Sequence, residues 1–151
     1  KGEQISSLPA LPTLAVTLVF PDLVIPNKTA AMYSKLTIGQ FSDGGVTRQM
    51  IQALTSGQFV KESVNGLVFN AFSEVAAQSY PELTDICRKI LDHGGPVMHL
   101  CGAGPAFFTL PSSEEEHHRI AELLQPHSAG VYLVKTVPRE SCGLGSLPVG
   151  T

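Results

Sequence analysis

At 151 residues, with 43% hydrophobic and 15% charged side chains, the chain has the size and composition of one globular domain. The net charge of −3, with Lys and Arg scattered, leaves no basic footprint for nucleic acid. No apolar run approaches the roughly 18 residues of a membrane-spanning helix, and no basic stretch followed by an apolar one opens the sequence.

Residues 1–12, with Gly2, Pro9 and Pro12, read as a lead-in segment. Thr13 to Phe20 is rich in β-branched residues and is stopped by Pro21, which predicts a strand. Thr29 to Leu36 is a short helix candidate, capped by Asn27 or Thr29. Asp43, Gly44 and Gly45 precede a second helix over Val46 to Leu54, and 55–64 read as loop. Leu67 to Gln78 carries Val68, Phe72, Val75 and Ala76 at helical spacing. Pro81 then opens a helix in which Leu83, Ile86, Cys87, Ile90 and Leu91 form one apolar stripe, closed by Gly94 and Gly95. Val97 to Leu100 and Ala106 to Leu110 are short strands around a glycine turn. Ser113 and Glu116 predict a capping box, and a helix follows with Ile120, Leu123 and Leu124 inward, stopped by Pro126. Val131 to Val137 is the last strand, and 138–151 read as an irregular tail.

Two strands joined by a short turn are antiparallel neighbours, and a helix between strands suggests a crossover. The expected class is α+β, ferredoxin-like, with a small antiparallel sheet and helices on one face. The domain is expected to span 13–137.

The chemistry is sparse. The three cysteines, Cys87, Cys101 and Cys142, form no CxxC pair, which argues against a disulfide framework or zinc site and for a reducing, cytoplasmic setting. His117 and His118 follow three glutamates and read as a solvated face; His99 reads as structural, beside the turn. No metal set and no Ser–His–Asp set can be argued. The turn Cys101-Gly102-Ala103-Gly104-Pro105 is open to two readings: a plain tight hairpin, or a backbone concavity that receives an anion.

Leu100 to Phe108 resembles the third motif of the GHMP kinases, a strand–turn–strand close to S-G-S-G-P-T-V-F. Gly102, Gly104, Pro105 and Phe108 match; Cys101 and Ala103 stand where Ser or Thr is usual. Lys1-Gly2-Glu3 with Leu8-Pro9, Leu18 to Tyr33, and Phe69-Asn70-Ala71-Phe72 through Tyr80-Pro81-Glu82-Leu83 resemble segments of the 4-diphosphocytidyl-2-C-methyl-D-erythritol kinases, in that family's order.

The resemblance implies the C-terminal domain of an ATP- and Mg²⁺-dependent kinase acting on a small-molecule hydroxyl in non-mevalonate isoprenoid biosynthesis. It places the ATP loop and the catalytic Lys and Asp in an N-terminal domain, which becomes the expected partner. No catalytic residue is then expected here, and the chain alone should be inactive, without bound ATP or Mg²⁺. Cys101 to Pro105 would border the phosphate region, with Cys101 either replacing a hydroxyl or acting as a small apolar filler. Tyr33 would stack on cytosine or simply pack its helix. An exposed apolar surface, open to self-association, is expected where the other domain docks. The string Cys142-Gly143-Leu144-Gly145-Ser146 echoes the ATP loop without its helix and is read as coincidence. The rival readings are a homoserine- or mevalonate-type GHMP kinase, or a non-catalytic ferredoxin-like ligand-binding module.

Overall fold

The structure, a computed structural model, describes residues 7–126 and 128–137. The readings for 1–6, His127 and 138–151 lie outside the described residues.

Strand β1, Ala15–Pro21, owes its extended form to Val16, Thr17 and Val19 and is the hub of the sheet. It lies between β3 (Phe107–Thr109) and β4 (Ser128–Lys135), with β2 (His99–Leu100) outside β3. The order is β2-β3-β1-β4, and every pairing is antiparallel. Thr17 faces Thr109 on one side and Leu133 on the other; Val19 faces Phe107 and Val131. Period-two alternation therefore puts Thr17, Val19, Phe107 and Thr109 on one buried face. The opposite face carries Leu18, Phe108 and the edge-on pair Phe20–Tyr132, whose ring centroids are 5.7 Å apart, and remains half-exposed to exposed. This is the expected α+β sheet with helices on one side.

Those helices arrive in chain order. Helix α1 spans Lys28–Tyr33, α2 Gly45–Thr55 and α3 Val64–Leu67. Helices α4 (Phe72–Ser79), α5 (Pro81–Asp92) and α6 (Glu114–Leu124) follow. Short 3-10 turns at Ile38–Gln40 and Lys61–Ser63 punctuate the first half, and the Lys61 ammonium donates to the Pro111 carbonyl. The core joins Val75 and Ala76 of α4, Leu83, Ile86 and Ile90 of α5, and Ile120 and Leu124 of α6 to Val19, Leu100 and Phe107 of the sheet. Each fully buried aliphatic side chain there contributes about 1.5–3 kcal/mol.

The termini of α5 follow from its sequence. Pro81 sits in the first turn, where its absent N–H costs nothing. At the other end Gly94 adopts φ +71°. Its N–H donates to Leu91 O and that of Gly95 to Ile90 O, both at 2.9 Å, which is a Schellman motif. No described helix is long and apolar enough to cross a membrane.

Four local expectations are corrected. The single helix predicted over Leu67 to Gln78 is two, α3 and α4, separated by residues 68–71. Asn70 makes the break: its Oδ1 accepts from Phe72 N–H at 2.9 Å, a local bond that competes with helix continuation. The capping box of α6 is shifted. Ser113 Oγ accepts from Glu116 N–H, but the Glu116 carboxylate takes Ser112 N–H at 2.6 Å instead of Ser113. Asn27 does cap α1, yet with a left-handed backbone (φ +48°) and no side-chain bond.

The fourth correction concerns His117, which does not share a solvated face with His118. It is buried and shares a 3.0 Å hydrogen bond with Thr17 of β1. The α6 stripe had to include position 117, four residues before Ala121 and three before Ile120, and the glutamate run masked it. Burial holds the imidazole below its usual range; nearby His118 adds to this and Glu114 opposes it. The folded chain thus favours neutral imidazole. As pH falls past 6.5, the ordinary value, the unfolded chain takes up its proton first and stability declines until the folded group titrates. Urea midpoints between pH 7.5 and 5 are expected to drop for the parent, and His117→Phe should flatten that slope. An unchanged slope would remove His117 from the account.

Candidate functional site

The turn between β2 and β3 is built by its glycines. Gly102 at φ +52° and Gly104 at φ +80° occupy left-handed backbone, which side chains with a Cβ adopt at a cost. Cys101 N–H donates to Ala106 O, and Gly104 N–H closes the turn onto Cys101 O, both at 2.8 Å. The Gly104–Pro105 peptide is cis.

Three further carbonyls of the turn are held from outside. Asn70 Nδ2 donates to Leu100 O at 2.9 Å and to Gly102 O at 2.8 Å. The Lys28 ammonium, at the start of α1, donates to Gly104 O. The N–H groups of Gly102 and Ala103 have no partner among the described residues. Two unclaimed N–H donors and a nearby ammonium are groups of the kind that bind anions.

The predicted site residues divide. Cys101 to Pro105 form the turn. Cys101 is half-buried, and burial raises its thiol pKa, so the thiol stays neutral at pH 7. Ala103 packs its methyl against the core. Tyr33 closes α1, five residues beyond Lys28 and about 7.5 Å further along the axis. It is 62% exposed and meets Phe72 nearly at right angles, with ring centroids 4.9 Å apart. Much of the ring is therefore left to solvent. His99 tilts against Phe108, at 5.2 Å, on the open sheet face, and burial lowers its pKa.

Two residues escaped sequence reasoning as site members. Asn70 carried a signal, since Asn before a helix favours side-chain-to-backbone turns. Lys28 carried none, because its partner lies 76 residues away. No group of three or more His, Cys, Asp or Glu that could hold a metal occurs among the described residues.

Comparison with known proteins places the chain in a family. The family model described as "GHMP kinases C terminal" matches residues 50–125, which includes Asn70 and the turn. The chain is 33% identical over 138 residues to a 4-diphosphocytidyl-2-C-methyl-D-erythritol kinase of Dehalococcoides mccartyi, covering 91% of this chain and 47% of that protein. A protein of the same name from Moorella thermoacetica is 31% identical over 132 residues, covering 83% of this chain and 44% of its own length. The chain thus spans about half the length of the curated relatives it matches.

Among solved structures, a 4-(cytidine 5'-diphospho)-2C-methyl-D-erythritol kinase superposes with TM-score 0.65 at 23% identity, over 89% of this chain and 46% of that one. An L. major mevalonate kinase in complex with R-mevalonate gives 0.62 at 16% identity, over 89% and 45%. A homoserine kinase from Cytophaga hutchinsonii gives 0.60 at 16%, again over 89% and 45%. These three share the fold. The small antiparallel sheet with helices on one face is therefore the fold of the C-terminal part of the GHMP kinases, the family to which this chain belongs.

Proposed function

We propose that this chain is the C-terminal domain, residues 13–137, of a cytoplasmic kinase that transfers the γ-phosphoryl of ATP to a hydroxyl of 4-diphosphocytidyl-2-C-methyl-D-erythritol. The observation that carries the reading is the glycine turn, with the N–H groups of Gly102 and Ala103 unclaimed among the described residues and the Lys28 ammonium at its rim. Phosphoryl transfer places charge on equatorial oxygens, and fixed donors of this kind stabilise it without reorganising. The relatives that match over most of this chain carry that enzyme's name, which favours it over the homoserine and mevalonate types.

In this reading the turn lies against the phosphates or the reacting end of the substrate. Tyr33 receives the cytosine on its exposed ring. The donor set fits a phosphate; it does not fit Mg²⁺, for want, among the described residues, of a group of three or more carboxylate, imidazole or thiol side chains that could hold a metal. The metal and the proton-accepting group would then belong to an N-terminal domain. Its docking face would be the apolar one on α2 and the flanking turns. Helix α2 buries no residue of its own, and Ile38, Phe41 and Val60 lie exposed nearby in the chain. Uncovered, that surface would favour self-association.

The test is a phosphoryl-transfer assay on the complete protein encoded with this chain, offered ATP with the cytidine substrate, homoserine or mevalonate. Transfer to the cytidine substrate is expected. Tyr33→Ala should raise its KM about 10-fold, in line with the ~1–3 kcal/mol of a base–aromatic stack, and leave the KM for ATP unchanged. Transfer to homoserine or mevalonate alone would replace the substrate assignment. Transfer to none of the three would end the kinase reading.

A further inference from the structure

We propose that Asn70 is a positioning residue for phosphoryl transfer: it aims the Ala103 N–H without touching the phosphate itself. The inference deepens the reading of the turn as a phosphate cradle, and rests on it.

The argument begins with the peptide plane. In a trans peptide the carbonyl of one residue and the N–H of the next point in opposite directions. Fixing Gly102 C=O therefore fixes Ala103 N–H. The group that holds Gly102 C=O is Asn70 Nδ2, at 2.8 Å. The same nitrogen holds Leu100 C=O at 2.9 Å, so one amide spans the end of β2 and the crown of the turn. The other candidate N–H, on Gly102, is aimed separately. Its peptide carbonyl is that of Cys101, which the turn itself claims through Gly104 N–H. Lys28 acts differently again, because the carbonyl it holds, on Gly104, is followed by Pro105, which has no N–H to aim. Of the two candidate donors, then, only Ala103 N–H depends on a side chain from another element.

Asn70 is itself rigidly placed. Its Oδ1 accepts from Phe72 N–H at 2.9 Å, which ties the amide plane to the first turn of α4. That helix is anchored in the core by Val75 and Ala76. The orientation of one backbone donor is thus referred, through a single side chain, to the packed body of the domain.

The two ends of the amide can be separated. Asn70→Asp keeps the acceptor for Phe72 N–H but loses both donors, and sets a carboxylate against two carbonyl oxygens. In the complete kinase this variant is expected to melt within a few degrees of the parent. Its Ala103 amide should shift in a ¹H–¹⁵N spectrum, and kcat should fall about 10- to 100-fold, as a misaimed transition-state donor predicts, with KM for the cytidine substrate within about twofold.

The proposal requires both the amide shift and the kcat loss; either without the other overturns it, as does neither. If Asn70→Asp does not fold, Asn70→Ser, which keeps a hydroxyl acceptor but is too short to reach the turn, is judged by the same two readings. Failure of both variants to fold would make Asn70 structural and overturn the proposal. If the parent kinase phosphorylates none of the substrates offered, the functional reading falls, and the Ala103 amide alone decides whether Asn70 aims it.

Discussion

Gly104→Val is expected to lower kcat of the complete kinase by about 100-fold or more, because it breaks the turn at the point where three constraints meet. The residue sits at φ +80°, where a Cβ meets Leu100 Cδ1 at 3.1 Å. Its N–H closes the turn onto Cys101 O, and its carbonyl takes the Lys28 ammonium. Left-handed backbone costs an ordinary L-residue roughly 1–2 kcal/mol, and β-branching adds to that. The chain can escape only by rotating the peptide, which misdirects both neighbouring bonds. Gly102→Ala is the control. Its φ of +52° carries a similar backbone cost, yet an added Cβ meets nothing within 4 Å. Steady-state kinetics and thermal melts on both variants decide the matter. Near-parental kcat for Gly104→Val would mean that the turn is not part of the reacting site.

Ile90→Ala is expected to cost about 2–5 kcal/mol, a large share of the ~5–15 kcal/mol that holds a domain of this size. Ile90 is 0% exposed and lies in the core between α5 and the sheet. It also shapes the exit of α5. A Cβ on Gly95 would lie 2.6 Å from Ile90 Cγ2, so the chain turns directly over this side chain. The space cannot close by moving Gly95, whose N–H is bound to Ile90 O at 2.9 Å. Urea denaturation with an unchanged slope should report the loss. Leu91→Ala, next in the chain but 50% exposed, should change stability by less than about 1 kcal/mol. Equal effects at the two positions would contradict the placement of the core.

Helix α5 and strand β1 were legible in the sequence because their signals are local. The stripe Leu83, Ile86, Ile90 has the helical period, and Pro81 and Gly94 mark its ends by backbone chemistry that needs no partner. The glycine turn was legible for the same reason. The break at 68–71 was not, because the apolar spacing of Val68, Phe72, Val75 and Ala76 runs through it, and the Asn70 amide that makes the local break is also fixed by carbonyls 30 and 32 residues downstream. His117 was misjudged because three glutamates at the start of α6 suggest solvent, while its burial is decided by Thr17, 100 residues earlier in the chain. Of the glutamates, Glu115 responds to the helix start: the Ser113 side chain and a backbone N–H hold its carboxyl below its usual range. For the candidate site, sequence offered the glycines and Tyr33 as candidates and a local cue at Asn70; that Asn70 and Lys28 suspend the turn emerges only once the chain is folded.

The central position of β1 has a consequence for synthesis. Its ladder partners are β3 and β4, and Ala15 waits for Lys135. A ribosome adding 5–20 residues per second needs roughly 6–24 s to make the intervening ~120 residues. Until β3 at Phe107–Thr109 is made, which is most of that time, the β-branched run Ala-Val-Thr-Leu-Val-Phe has neither neighbour, and such a stretch is prone to pair with another chain. The nascent protein therefore passes through a window of aggregation risk fixed by strand order rather than by final stability. A permuted gene that places β4 directly before β1 would shorten that window while leaving the sheet unchanged.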